Sequence, residues 1–266
     1  MKTYQFLRRF PGLFRMHRHT LFLMIERDFK TRYVQSVGGV FWAFLNPLLL
    51  VLVYSLIFSL VFSREVGDVP FSLWLFSALL PWLFFSDVLK NAVTILEKNK
   101  NLIIKSPFQP ELLSLVVIGA GLVGHLAGIG IILLLLLLFG HFPGVCVLTL
   151  LFYTVCLLFF CLGLSWIVSA LYLFVRDIGQ FIHVILQLWF YLCPIVYPDT
   201  IIPEKYVFLY RLNPMYFIVQ GYRRALIYNQ SIVWVDFFIF AGWACLFLLA
   251  GSFIFGRLKN QFAEML

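Results

Sequence analysis

The chain has 266 residues, of which 62% are hydrophobic and only 12% are charged, and its mean hydropathy is +0.96. Soluble domains carry roughly twice that share of charged residues, so the composition excludes a water-soluble protein. The net charge of +8 is typical of cytoplasmic loops beside anionic lipid headgroups and does not require nucleic acid as a partner. The five cysteines form no CxxC pair, so no metal site or disulfide framework is predicted.

Six apolar runs predict an all-α polytopic membrane protein. Between Glu111 and Arg176 lie 64 consecutive residues without a charged side chain. A membrane-spanning helix needs about 20 residues, so this stretch has room for two spans, separated by the turn sequence at Phe139–Gly144. The predicted spans are residues 40–62, 69–89, 112–138, 145–175, 178–196 and 237–255.

The distribution of basic residues predicts the orientation and the domains. Of the 20 Lys and Arg residues, 15 fall on the side of the two termini, which makes both termini cytoplasmic. Residues 1–38 are basic with apolar residues at helical spacing, which predicts an interfacial amphipathic helix before a transmembrane domain at 39–266. Residues 196–230 are too apolar for a solvated loop but are interrupted by prolines, which predicts short re-entrant helices at the outer side.

A glycine-rich segment at Gly119–Gly124 matches the dinucleotide-binding pattern GxGxxG. That site also needs an acidic residue about 20 positions later, and none occurs before Asp177. Small residues four apart (Ala120, Gly124 and Gly128) instead predict close helix packing, and His125 beside them is interpreted as a packing residue. No phosphate-binding GxxxxGK[ST] loop occurs, so no cofactor is predicted in this chain and ATP would bind a separate chain.

Aromatic side chains recur along the first predicted span. They are Phe41, Trp42, Phe44, Tyr54 and Phe58. One interpretation is lipid-facing bulk. The other is an aromatic-lined conduit, because sugar rings present apolar C–H faces that stack on aromatic planes. The sequence leaves both open.

Three segments resemble the permease subunits of ABC-type polysaccharide exporters, which export O-antigen, capsular polysaccharide or teichoic acid. They are RDFKTRY at 27–33 with SVGG at 36–39 and FWAFLNPL at 41–48, LNPMYFIVQGYRRAL at 212–226, and Arg176-Asp177 between the fourth and fifth spans. One departure is Gln220, where many relatives carry an acid.

The resemblance implies a homodimer of six-span subunits above two ATP-binding-cassette subunits, which bind the ATP and magnesium. The implied cargo is a glycan on a polyprenyl pyrophosphate lipid in the bacterial inner membrane. An implied coupling loop at 97–109 contains Glu97, Lys98, Asn99, Lys100 and Asn101, and implied outer gate helices at 196–230 contain Asn213, Pro214, Tyr222 and Arg223. The mixed polar and apolar faces of 97–105 also suit a short helix held in a groove of a partner.

Basic residues at the membrane edge are candidates for binding the lipid pyrophosphate. Arg27 and Lys30 are i,i+3 neighbours on a helix, whereas Arg32 would join them only if the chain turned before the first span. Arginine binds phosphate oxygens through two parallel hydrogen bonds, but generic attraction to anionic lipid explains the same charges.

Two other functions stay open. An ABC permease for drugs or another lipid would be less aromatic along its conduit. A membrane-embedded polyprenyl-lipid transferase would need acidic pairs, and Glu26 and Asp28 form no DxxD pattern.

Overall fold

The computed structural model describes residues 3–33, 41–58, 65–66, 69–106, 108–198 and 203–266. The helices are α1 Thr3–Tyr33, α2 Phe41–Phe58, α3 Phe71–Val93, α4 Ile95–Lys98, α5 Lys100–Lys105, α6 Leu113–Leu138, α7 Leu150–Phe174, α8 Ile178–Tyr191, α9 Val207–Arg211, α10 Pro214–Leu226, α11 Trp234–Leu258 and α12 Phe262–Met265. Strands β1 (Glu65–Val66) and β2 (Val69–Pro70) pair antiparallel in a short hairpin before α3.

Four helices within these ranges are long and apolar enough to cross a membrane: Phe71–Val93, Pro110–Leu138, Val145–Phe174 and Trp234–Met265. They confirm a helical, multi-pass membrane protein and coincide with the second, third, fourth and sixth predicted spans. Part of the first predicted span forms the 18-residue α2, and residues 59–62 lie outside the described ranges.

The fifth predicted span is shorter in the structure than expected. Helix α8 ends at Tyr191 after 14 residues, whereas the prediction extended to residue 196. Pro194 explains the early end, because a proline disfavours helical backbone in the residue before it. The six-span count therefore stays a prediction.

Helix α3 lies at the centre of the helical assembly and contacts α2, α6, α7, α8 and α10. Its mean hydropathy is 1.5, against 2.2 to 2.7 for the other three long helices, yet 83% of the residues in its most apolar 18-residue stretch are buried. A less apolar helix is tolerated here because its neighbours are protein side chains rather than lipid.

Helices α7 and α11 approach each other closely at two glycines. A Cβ atom on Gly163 would meet the backbone of Phe247, and a Cβ atom on Gly251 would meet the backbone of Gly163. Backbone contact of this kind requires small residues on both helices.

The small-residue stripe on α6 packs only in part as predicted. Gly128 lies against Leu80 of α3, which confirms close packing at that position. At Gly124, however, an added Cβ atom would meet no atom within 4 Å. Gly124 instead lines a pocket between α2, α3 and α6.

Helix α1 contains most of the predicted amphipathic segment. It packs against α6 and α11, with Leu21 and Met24 buried and Phe22 and Leu23 exposed. Residues 34–40, including the SVGG sequence, lie outside the described ranges. The placement of α1 in the cytoplasmic interface stays a prediction.

Candidate functional site

The predicted coupling loop contains two short helices, α4 and α5, that follow α3 after a break at Thr94. Lys98, Lys100 and Asn101 are exposed on this segment, and Ile104 is 50% exposed. Ile95 and Leu96 are buried against the rest of the chain. The segment therefore presents a basic face with one large apolar side chain to a potential partner.

Glu97 and Asn99 point the other way and hold the segment against the protein. Glu97 forms an ion pair with Arg176 in the turn between α7 and α8, and it accepts a hydrogen bond of 3.1 Å from the Tyr172 hydroxyl. The hydrogen bond from Arg176 lowers the pKa of the Glu97 carboxyl. The Arg176-Asp177 turn, singled out in the sequence, thus contacts the coupling segment directly.

The three predicted pyrophosphate ligands lie on α1 with different partners. Arg27 donates a 3.1 Å hydrogen bond to Asn99, and Lys30 lies 2.5 Å from Glu26 one turn earlier. Because α1 stays helical through Tyr33, Arg27 and Arg32 point to different neighbours, and the three cations do not converge on one face.

Arg32 is the most enclosed of these cations, with its side chain 13% exposed. It bonds to Asp28 at 2.7 Å and to Asp87 of α3 at 2.5 Å. Asn91 donates to the second oxygen of Asp87 at 2.9 Å. Two carboxylates therefore already neutralise Arg32, which connects α1 to α3.

The Asn213-Pro214 sequence starts α10 at the predicted outer gate. The Asn213 side-chain oxygen caps the helix by accepting from the Met215 N–H at 3.0 Å, and Pro214 occupies the first helical position. The same oxygen accepts from Trp189 of α8 at 2.8 Å. Asn213 thus joins the start of α10 to α8.

Tyr222 and Arg223 are buried in the protein rather than exposed at an outer surface. The Tyr222 hydroxyl lies 2.8 Å from His125 Nε2 and 2.7 Å from Thr154 Oγ1. The Arg223 guanidinium lies 3.5 Å from the ring centre of Trp74 and donates to the Ile195 carbonyl at 2.8 Å. These contacts connect α10 to three of the long helices and to the turn after α8.

An aromatic pocket of about 870 Å³ opens between α8, α9 and the start of α10. Its polar and aromatic lining includes Trp189, Tyr197, Tyr206, Tyr210 and Asn213. Among these, sequence reasoning identified only Asn213. The others share no spacing, since they come from α8, the turn after it and the segment before α10, so no sequence signal groups them.

The aromatic residues predicted in the first span do not form one surface in the described part of the chain. Phe41 is 62% exposed, and Trp42 lines the pocket beside α3 and α6. Tyr54 stacks on Phe190 of α8 with ring centres 5.7 Å apart. The side chains of Phe44 and Phe58 lie outside the description. Whether the aromatic residues of the first span line a conduit or face lipid therefore stays open.

Comparison with known proteins matches a family model described as ABC-2 type transporter to residues 19–227. The O-antigen export system permease protein RfbA of Myxococcus xanthus is 29% identical over 251 residues, covering 93% of this chain and 95% of that protein. A protein of the same name from Klebsiella pneumoniae is 30% identical over 253 residues, covering 92% and 94%. The polysialic acid transport protein KpsM of Escherichia coli is 23% identical over 217 residues, covering 80% and 83%.

Proposed function

We propose that this chain, which belongs to the ABC-2 type transporter family, is the membrane subunit of an ATP-driven polysaccharide exporter. The cargo is an O-antigen-like glycan on a polyprenyl pyrophosphate lipid, moved across the bacterial inner membrane. The observation that carries the proposal is the match to O-antigen export permeases over almost the whole of both chains.

The working unit is a homodimer of six-span subunits with both termini in the cytoplasm. The 15 to 5 distribution of Lys and Arg supports this orientation. In it, α2 and α8 cross the membrane as the first and fifth spans, although α8 is short. The segment containing α9 and α10 enters from the outer side as the gate.

ATP is bound by two separate cassette subunits that dock on α4 and α5. The exposed Lys98, Lys100 and Asn101 support this assignment, because they are available to a partner. Glu97 and Asn99 transmit movements of the cassette subunits to the membrane domain, since their contacts reach the α7–α8 turn and α1. The short helices are thereby connected to two parts of the membrane domain.

The lipid pyrophosphate is attracted to the cations of α1 at the cytoplasmic surface. Arg27 and Lys30 are exposed and contact it directly. Arg32 contributes its charge and orients α1, because Asp28 and Asp87 already occupy its guanidinium. The glycan then passes the aromatic side chains of the first span and leaves past the pocket beside α10.

The test is reconstitution with and without an ATP-binding-cassette partner subunit. Alone, the purified permease should bind no ATP, and with the cassette subunit it should support ATP-dependent transfer of a lipid-linked glycan into vesicles. Stoichiometric ATP binding by the permease alone would contradict the proposal. Transfer of a drug or another lipid, but of no glycan, would favour the alternative permease function.

A further inference from the structure

A second pocket, of about 240 Å³, lies between α2, α3 and α6. Its walls from α2 and α3 include Trp42, Leu50 and Phe84. The wall from α6 consists of small residues and a histidine: Ala120, Gly121, Gly124, His125 and Gly128. An added Cβ on Gly124 would meet no atom within 4 Å, so this glycine leaves room in the pocket, whereas Gly121 and Gly128 pack against side chains of α3.

His125 places a polar atom without a partner at the inner end of this pocket. The side chain is 4% exposed, and its Nε2 atom is bonded to Tyr222. Nδ1 has no hydrogen-bond partner among the described residues. The Leu80 backbone lies near the ring, but no acceptor among the described residues meets hydrogen-bond geometry at Nδ1. When the Tyr222 hydroxyl donates to Nε2, Nδ1 carries the proton and requires an acceptor.

The mouth of the pocket carries one unmatched cation. Asp87 and Lys90 line it, and Asp87 is already bonded to Arg32. Lys90 is exposed and has no carboxylate within ion-pair distance in the described part of the chain. A phosphodiester carries a single negative charge and matches one cation, whereas a pyrophosphate carries at least two. The charge at the mouth therefore favours a phosphodiester.

The polar groups of the pocket are spaced along one axis. A Cβ atom on Gly121 would lie 3.4 Å from Asp87 Oδ2, so these residues are at the same level. Since α3 and α6 run in opposite directions, Lys90 lies about 4.5 Å to one side of this level and His125 about 6 Å to the other. The backbone levels of Lys90 and His125 are therefore about 10 Å apart, and the long Lys90 side chain can cover part of that distance toward the phosphate of a lipid whose ester carbonyl lies near His125.

We propose that this pocket binds a resident membrane glycerophospholipid. Its phosphate lies beside Lys90, an ester carbonyl accepts the hydrogen bond from His125 Nδ1, and one acyl chain lies against Gly124. This lipid is distinct from the exported cargo. The lipid contacts His125, which is bonded to Tyr222 of α10. It therefore stabilises the position of the gate segment.

The test compares two leucine substitutions on α6. Gly124→Leu fills the space over the pocket wall, whereas Gly130→Leu adds the same side chain where an added Cβ likewise meets nothing within 4 Å, away from the lining. Each protein is reconstituted in vesicles of phosphatidylethanolamine and phosphatidylglycerol that carry a photoactivatable group in the acyl chain. Crosslinked peptides are then mapped by mass spectrometry.

Labelling of the α3 and α6 residues that line the pocket is expected in the wild type. Gly124→Leu should reduce it at least about fivefold, because the side chain occupies the acyl position, and Gly130→Leu should leave it within about twofold. Equal labelling in both variants would overturn the proposal, as would wild-type labelling confined to other surfaces. Should Gly124→Leu fail to fold, the wild-type labelling map alone tests the proposal. Labelling of the pocket lining supports it, and labelling confined to other surfaces overturns it.

Competition distinguishes the phospholipid from the cargo lipid. An added polyprenyl pyrophosphate should leave labelling of the lining residues unchanged. Its displacement of the phospholipid would overturn the assignment to a resident lipid and place cargo in this pocket. Export activity does not enter the readout, so the result is independent of the function proposed above.

Discussion

Replacing Tyr222 with phenylalanine removes one hydroxyl from the buried network that joins three helices. The aromatic ring keeps its volume and its contact with the His125 ring, whose centre lies 5.7 Å away. His125 Nε2 and Thr154 Oγ1 both lose a partner at 2.8 and 2.7 Å. The substitution therefore isolates the polar contribution of α10 to the assembly.

The expected cost follows from the two lost hydrogen bonds. Hydrogen bonds between helices within membranes average about 0.6 kcal/mol and reach about 1.7 kcal/mol. Losing both should lower the free energy of unfolding by about 1 to 3 kcal/mol. A buried environment favours the upper part of this range, because the remaining histidine and threonine atoms have no water to bind.

Unfolding in mixed detergent micelles measures the effect on the free energy of unfolding. Tyr206→Phe is the matched control, because it removes the same hydroxyl from a tyrosine that is 44% exposed. In the Tyr222→Phe protein, Thr154→Val should cost less than in the wild type, since its partner is already gone. The reasoning is refuted if Tyr222→Phe and Tyr206→Phe cost the same, or if the two network substitutions are additive.

Three further predictions concern α1 and the segment that contains α4 and α5. Reversing the charges of Lys98 and Lys100 to glutamate should weaken binding of the cassette subunit about tenfold without affecting membrane insertion, which co-purification measures; unchanged complex yield would remove this segment from the interface. Arg27→Lys should lower surface glycan at normal expression, because lysine lacks the paired donors of arginine; wild-type glycan levels would reject specific pyrophosphate binding. The pKa of Glu97 is lowered in the folded protein, so its ion pair stabilises the coupling segment above the ordinary pKa of 4.5 and is lost as pH falls through the lowered value. Hydrogen exchange in α4 should accordingly be faster in Glu97→Gln than in the wild type at pH 7, and this difference should vanish in acid. A difference that persists in acid would mean that the Glu97 ion pair is not its cause.

Helices determined by hydrophobicity alone could be predicted from the sequence. The uncharged stretch after Glu111 became α6 and α7, because it is long enough for two spans and contains no charged side chain. The start of α10 also has a local cause, since a capping Asn213 side chain is followed by proline, but from the sequence these residues are assigned only to the gate. The predicted fifth span extends beyond the end of α8 because apolar residues continue on both sides of Pro194, and hydrophobicity alone does not mark the helix end.

The partners of the charged and polar side chains could not be predicted. Arg27 bonds to a residue 72 positions away, and Arg32 bonds to one 55 positions away. His125 and Tyr222 are separated by 97 residues. Such pairs depend on how the helices pack, and helical periodicity contains no information about which faces of distant helices meet.

The central position of α3 has a consequence for biogenesis. During synthesis this helix leaves the ribosome before α6, α7, α8 and α10, which surround it in the finished protein. It is also the least apolar of the four long helices and carries Asp87 and Lys90. Lipid is therefore a poor environment for α3 at the moment it is made, and its stable insertion depends on helices translated later. A chain truncated after Val93 should consequently be a substrate for membrane quality-control proteases, whereas one that extends through α7 should persist.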